Sequence, residues 1–232
     1  MDRSHPARPR TLIAAALLLA AVACAPSREA EAAARAVAGD AAAAAPAPPP
    51  GATVWSFDDE APGGPPTGWL VATGSWTVEA GGTLLQDARS ADPVFNVALA
   101  PDVSARDLTL TVQVQCVSGE VDQGGGVVWR ARGPDDYYIA RWNPLEHNLR
   151  VYAVEAGRRR QLDTAIVIND PEAPHALRVS MTGDRIRVSL DGEALLDVHD
   201  ATFPDAGAVG LWTKADARTR FGDLVVVEGG RG

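Results

Sequence analysis

The residues best suited to chemistry lie together in the segment DDYYIARWNPLEHNLRVYAV, which runs from Asp135 to Val154. The segment combines aromatic rings with arginine, asparagine and glutamate side chains. Recognition of a sugar uses both kinds of side chain, because flat rings cover C–H surfaces while planar polar groups hydrogen-bond hydroxyls. The segment is therefore a candidate carbohydrate-binding surface.

Alternation within this segment predicts two strands that share one polar face. The two-residue period of a strand places Tyr137, Arg141 and Asn143 on one side of the first strand, and Asn148 and Arg150 on one side of the second. The complete predicted ligand face consists of Arg130, Tyr137, Arg141, Asn143, Glu146, Asn148 and Arg150.

A structural interpretation of the same residues stays open. Asn143 precedes Pro144, where asparagine often caps a turn through its own side chain, and Arg141 can pair with Glu146 or an aspartate. Ligand contact predicts that Arg141→Ala and Asn143→Ala weaken glycan binding and leave the melting temperature near the wild-type value. Equal loss of binding and stability would support the structural interpretation.

A second candidate surface lies in GLWTKAD, residues Gly210 to Asp216. Strand alternation places Trp212 and Lys214 on the side opposite Leu211. Trp212 beside Lys214 is a candidate for an exposed stacking platform. A tryptophan that covers the edge of a sandwich is the alternative.

Catalytic residues are not apparent from the sequence. The commonest hydrolysis of a glycosidic bond requires two carboxylates at a set separation. The nearest local pair is Glu120 and Asp122 in GEVDQGG, and Glu146 with Asp216 is a pair that only distant strands could bring together. Enzymatic activity therefore stays an open question.

No cofactor is required by the sequence, and a structural calcium ion is the metal to consider. Carboxylate oxygens are suitable calcium ligands, and Asp58, Asp59 and Asp223 are the candidates. Solvated loop acids are the alternative.

Cys116 ends the alternating run LTLTVQVQC and is predicted to be a small buried apolar residue. The basic GRRRQ stretch is predicted to be a solvated hairpin tip.

The N-terminal part predicts export. Residues 1–23 combine a basic start with the uncharged run TLIAAALLLAAVA, as in a signal peptide, and this run is shorter than the roughly 20 residues that span a bilayer. Cys24 after Ala21-Val22-Ala23 resembles a bacterial lipobox, so we expect a lipid-anchored protein of the cell envelope; ordinary A-x-A cleavage is the alternative. Residues 24–51 read as an Ala/Pro-rich linker.

One all-β domain is predicted over residues 52–228, followed by a short tail at 229–232. Stretches such as HALRVSM and RIRVSL alternate strictly, and Asp191-Gly192 is a two-residue hairpin signal, so residues 175–198 predict a three-stranded meander. Many short strands with turns between them indicate a two-sheet sandwich.

The net charge of −9 over 232 residues argues against a nucleic-acid partner.

Residues 53–227 resemble a known family. The stretches WSFDDEAPGGPPTGWLVATGSWTVEAGGTLLQ, GGGVVWRARGPDDYYIARWNPLEHNLRVYAV and GAVGLWTKADARTRFGDLVV are similar to the laminin-G-like, concanavalin A-like domains of the DUF1080 (3-keto-disaccharide hydrolase-like) family. The resemblance implies an antiparallel jelly-roll sandwich whose concave face meets carbohydrate.

Three functions follow from these residues and this resemblance. The first is an exported carbohydrate-binding module whose partner is a glycan and whose membrane contact is the lipid anchor alone. The second is a hydrolase or lyase acting on 3-keto-disaccharide-type sugars, and the third is a protein-binding adhesion domain.

Overall fold

The computed structural model describes residues 47–87 and 92–229, which form fifteen strands and no helix. In chain order the strands are β1 (Thr53–Trp55), β2 (Leu70–Val71), β3 (Trp76–Glu79), β4 (Thr83–Asp87), β5 (Phe95–Leu99), β6 (Leu108–Ser118), β7 (Gly125–Gly133), β8 (Asp136–Asn143), β9 (Asn148–Glu155), β10 (Arg158–Ile166), β11 (His175–Thr182), β12 (Arg185–Leu190), β13 (Glu193–His199), β14 (Ala208–Lys214) and β15 (Arg218–Glu228).

The strands form two antiparallel sheets. Sheet A has the order β13-β12-β11-β6-β15-β4-β3, and β1 pairs with β15. Sheet B has the order β10-β9-β8-β7-β14-β5-β2. Every pairing within the two sheets is antiparallel. The predicted all-β, two-sheet antiparallel sandwich is confirmed.

The main apolar core lies between the sheets. Leu110 and Val112 of β6 and Val179 of β11 face Trp142 and Leu149 from sheet B, and all five are almost completely buried. Each is separated in sequence from the next core residue by one outward-facing position, as the period of two requires. The sequence pattern therefore determines which side of each strand faces the core.

The predicted meander is also confirmed. Strands β11, β12 and β13 follow one another and pair in order. Asp191 and Gly192 between β12 and β13 both have positive φ, 52° and 83°. A type I′ turn needs positive φ at both central positions, so this hairpin matches the Asp-Gly signal. Cys116 is buried, and burial raises the pKa of its thiol, which keeps it an uncharged core residue.

The outer face of sheet B carries a second apolar cluster. Its side chains alternate along each strand with those that enter the main core. Its members are Val97, Leu99, Val128, Ala131, Tyr137, Ile139, Tyr152, Val154 and Trp212. This face therefore has an aromatic and aliphatic floor rather than the uniformly polar surface typical of an exposed sheet face.

The described residues 47–87 and 92–229 form one compact unit that contains all described strands and both apolar clusters. This unit can therefore be produced by itself for the experiments below. The predicted signal peptide 1–23, Cys24 and most of the linker 24–51 lie outside the described residues. Within residues 47–87 and 92–229, no helix is long and apolar enough to cross a membrane.

Candidate functional site

A group of polar side chains lies beside the aromatic floor on sheet B, and Glu146 is its centre. Glu146 Oε2 accepts hydrogen bonds from Arg141 Nη2 at 2.8 Å, Arg150 Nη1 at 2.8 Å and Asn148 Nδ2 at 3.1 Å. Arg141 and Arg150 are directly opposite each other in the β8–β9 pair, which brings both guanidinium groups to one carboxylate. Burial acts to raise the pKa of Glu146, but the bonds from Asn148 and Arg141 outweigh it and lower that pKa.

Asp122 supplies a second carboxylate to the same group. It is almost completely buried and accepts hydrogen bonds from Asn143 Nδ2 at 2.8 Å and Lys214 Nζ at 2.9 Å. Asn143 Oδ1 in turn accepts the backbone N–H of Glu146 at 3.0 Å, so Asn143 joins the two carboxylates. We call this set the polar cluster; it consists of Asp122, Arg141, Asn143, Glu146, Asn148, Arg150 and Lys214.

The polar cluster unites six of the nine ligand residues expected from the sequence. Those six are Arg141, Asn143, Glu146, Asn148, Arg150 and Lys214. Their contacts also confirm the pairing and capping roles named in the structural interpretation, because Arg141 pairs with Glu146 and Asn143 caps the following turn. Contact with a ligand stays a prediction for all six.

The loop that carries Asp122 is held by Asp216. The Asp216 carboxylate accepts backbone N–H groups from Glu120 at 2.7 Å, Val121 at 3.0 Å and Asp122 at 2.9 Å. Burial acts to raise the pKa of Asp216, but these backbone bonds lower it below the usual value. Asp216 is therefore an ionised loop anchor and has no proton to give as a general acid.

Trp212 is buried in the floor and is not an exposed stacking platform. Its side chain is 1% exposed, its Nε1 donates to Tyr137 Oη at 3.1 Å, and its ring lies 5.4 Å from that of Phe95. Burial raises the pKa of the Tyr137 phenol, which stays protonated. The stacking-platform hypothesis for Trp212 was wrong because strand alternation gives the face of a side chain but not what covers that face.

Arg159 covers part of the floor, a role that was not expected from the sequence. Its guanidinium carbon lies 4.9 Å from the Tyr152 ring centroid, 5.0 Å from that of Phe95 and 5.7 Å from that of Trp212. Arg158 and Arg160 on either side are exposed, but the expectation of a hairpin tip was wrong, because all three arginines belong to strand β10. The alternation of side chains along β10 could have predicted this position, because it turns Arg159 toward the floor and its two neighbouring arginines away from it.

Arg130 does not join the polar cluster. Its guanidinium donates to the backbone oxygens of Arg106, Phe203 and Gly183 at 2.7 Å each. Arg130 has φ of 48°, and the β7–β8 register shifts after Trp129. This irregularity breaks the alternation on which the expectation depended, and Arg130 instead ties loops together.

The three aspartates proposed for calcium are only partly brought together. Asp223 is near Asp58; burial raises the pKa of Asp223, and the Asp58 charge adds to that shift. Within residues 47–87 and 92–229, no group of three or more His, Cys, Asp or Glu side chains is arranged to hold a metal ion. Calcium binding at Asp58, Asp59 and Asp223 stays a prediction.

The outer face of sheet A offers a different kind of surface. A shallow groove of about 310 Å³ is lined by Ser180, Thr182, Arg185 and Arg187. Both arginines pair with the exposed Asp197. The lining holds no aromatic ring, so this groove lacks the stacking surface that a sugar-binding face uses.

Comparison with solved structures places the chain among jelly-roll sandwiches. The carbohydrate-binding module CBM66 from Bacillus subtilis matches with a TM-score of 0.59 and 22% identity, covering 67% of this chain and 92% of that one. The Emp47p carbohydrate recognition domain matches with a TM-score of 0.52 and 13% identity, covering 77% and 95%. The GH43 protein BlXynB from Bacillus licheniformis matches with 0.54 and 15%, covering 76% and 39%.

These identities establish the fold alone, which is the predicted jelly-roll sandwich of concanavalin A-like type. No protein-family model matches the sequence, and no curated protein matches it. Membership of the DUF1080 family therefore stays a prediction.

Proposed function

We propose that this protein is a carbohydrate-binding module of the cell envelope that binds glycan on the outer face of sheet B. The observation that most supports this proposal is a set of partly exposed polar side chains beside an aromatic floor. The side chains of Glu146, Arg150 and Lys214 are 38%, 30% and 17% exposed, whereas those of Arg141 and Asp122 are each 2% exposed. The three exposed side chains are proposed glycan contacts, and the buried Asp122 positions Lys214 among them.

The chemistry of these groups suits sugar hydroxyls. Glu146 accepts from hydroxyls, while Arg150 and Lys214 donate to hydroxyl oxygens. Asn148 Oδ1 is buried and has no hydrogen-bond partner among the described residues, which leaves one more acceptor at the cluster. Each such bond contributes about 0.5–1.5 kcal/mol net, so several convergent bonds are needed for useful affinity. The fold shared with a carbohydrate-binding module and a carbohydrate recognition domain supports this role.

Cleavage of 3-keto-disaccharide-type sugars, by a hydrolase or a lyase reaction, is the less favoured function. General acid catalysis at a glycosidic oxygen needs a carboxyl group that keeps its proton near neutral pH, through a raised pKa. Glu146 and Asp216 both have lowered pKa values. Asp122 is already engaged by hydrogen bonds from Lys214 and Asn143. The site is therefore better suited to binding than to bond cleavage.

Protein binding has one observation in its favour. Ile166 and Ile168 are 82% and 80% exposed near the end of β10. Two exposed aliphatic side chains are a small surface, and single exposed apolar residues are ordinary on soluble proteins. Carbohydrate binding therefore has the stronger support.

A glycan array tests the proposal. Residues 47–232, labelled and screened with calcium and again with a chelator, are expected to bind a restricted set of glycans. Equal binding in both arms would place the sugar contacts on protein side chains alone, whereas loss with the chelator would support the calcium prediction. Absence of binding to every glycan in both arms would overturn the proposed function.

The proposed anchor is a lipid on Cys24, with the Ala/Pro-rich linker holding the domain away from the membrane. Expression of the full chain in a bacterium with a palmitate analogue is expected to label the protein, and Cys24→Ala is expected to abolish the label. Cys116→Ala is the matched control and should keep it. A labelled Cys24→Ala protein would contradict the anchor.

A further inference from the structure

Several guanidinium N–H groups beside the floor have no hydrogen-bond partner. Among the described residues these are Nε and Nη1 of Arg141 and Nη1 of Arg159, all of them buried. Asp122 Oδ1 lies 3.9 Å from Arg141 Nη1, which is beyond hydrogen-bond distance. A buried donor on a charged group without an acceptor is costly, so its presence in two neighbouring arginines indicates a missing acceptor.

The local charge points to the kind of acceptor that is missing. Arg141, Arg150, Arg159 and Lys214 supply four positive charges, and Asp122 and Glu146 supply two negative charges, so these six side chains together have an excess of two positive charges. The whole chain has a net charge of −9. A positive surface on an acidic protein attracts an anionic ligand and repels a cationic one.

Arg159 lies over the floor in contact with three aromatic rings. No hydrogen bond from its guanidinium to another described residue accompanies the contacts with Phe95, Tyr152 and Trp212. The Tyr152 ring beneath Arg159 belongs to a residue that pairs with Ile139, two positions before Arg141 on the same side of β8, so both guanidinium groups lie on the same part of this face. An anion between them would offset their like charges and give their free N–H groups an acceptor.

We propose that the glycan bound on this face carries a carboxylate, as a uronic acid does, and that Arg159 and Arg141 hold that carboxylate. This inference rests on the proposed carbohydrate-binding function and names its ligand class. A planar carboxylate presents two oxygens that match the forked N–H groups of a guanidinium. When Arg159 turns toward the carboxylate, it uncovers the rings beneath it, and the sugar ring takes the place of the guanidinium on the floor.

The test compares each glycan with its own uncharged form. Uronic-acid oligosaccharides and the same oligosaccharides as methyl esters are titrated into residues 47–232 by calorimetry. The free acids are expected to bind at least tenfold more tightly than the esters. Equal or tighter binding of the esters would overturn the inference and leave the proposed function standing, whereas absence of binding to charged and neutral glycans alike would overturn both.

Two variants assign the preference to Arg159. In Arg159→Gln, the affinity for the free acid is expected to fall to about the affinity for the ester. Arg158→Gln removes the same charge from the exposed neighbouring position and is expected to keep the tenfold preference. Retention of the full preference in folded Arg159→Gln would contradict the role of Arg159, and binding of sulfated but not carboxylated oligosaccharides would contradict the carboxylate.

Discussion

Replacement of Arg141 by alanine is expected to lower the free energy of unfolding by about 3 kcal/mol, at the lower end of the range of about 3–5 kcal/mol for removing one partner of a buried ion pair. The Arg141 side chain is almost completely buried and donates to Glu146 at 2.8 Å. The loss stays at the lower end because Glu146 keeps its bonds from Arg150 and Asn148. Urea denaturation of the two proteins measures the difference.

Arg150→Ala is the matched control for that experiment. Arg150 donates to the same Glu146 oxygen, but its side chain is 30% exposed, so its loss should cost less than about 1 kcal/mol. Similar stability of Arg141→Ala and wild type would show that the polar cluster does not support the fold. The expected loss of stability means that Arg141→Ala cannot by itself separate ligand contact from structure.

Gly126→Ala is expected to have the largest effect, with a loss above about 4 kcal/mol or no folded protein. A Cβ at this position would overlap the Ala140 carbonyl oxygen of the paired strand and lie 2.8 Å from Arg141 Cα. Gly126 pairs with Arg141 on one side and Trp212 on the other. The missing side chain therefore lets two central strands of the binding face pair closely.

Gly133→Ala is the control for Gly126→Ala. Gly133 ends the same strand, and a Cβ added there would meet no atom within 4 Å. Soluble yield and thermal melting followed by circular dichroism should be nearly unchanged for Gly133→Ala and severely reduced for Gly126→Ala. A Gly126→Ala protein that melts within a few degrees of wild type would show that β7 and β8 can separate at no great cost.

The fold was predictable because its main signal is local. The period of two assigned the core side of β6, β11 and β12, and Asp191-Gly192 located a hairpin. The same alternation put Arg141, Asn143 and Arg150 on one face. It failed at Arg130, where a bulge changes the direction of the side chain without a change in sequence pattern.

The parts of the site that could not be predicted depend on distant segments. Asp122 joins Lys214 across 92 positions of the chain, and Asp216 holds the loop around Glu120 across 96. The contact between Arg159 and the Trp212 ring likewise joins two strands that are far apart in the sequence. Alternation within one strand carries no information on such contacts, so Trp212 was a candidate for an exposed platform although it is buried.

The most direct test of glycan binding on the outer face of sheet B is a calorimetric titration into three proteins of the glycan that binds most tightly on the array. The three proteins are residues 47–232 with the wild-type sequence, Arg150→Ala on the outer face of sheet B, and Arg178→Ala on the outer face of sheet A. Binding by the outer face of sheet B predicts at least a tenfold loss of affinity for Arg150→Ala and wild-type affinity for Arg178→Ala. Loss of affinity in Arg178→Ala alone would place the glycan on sheet A and contradict binding on the outer face of sheet B.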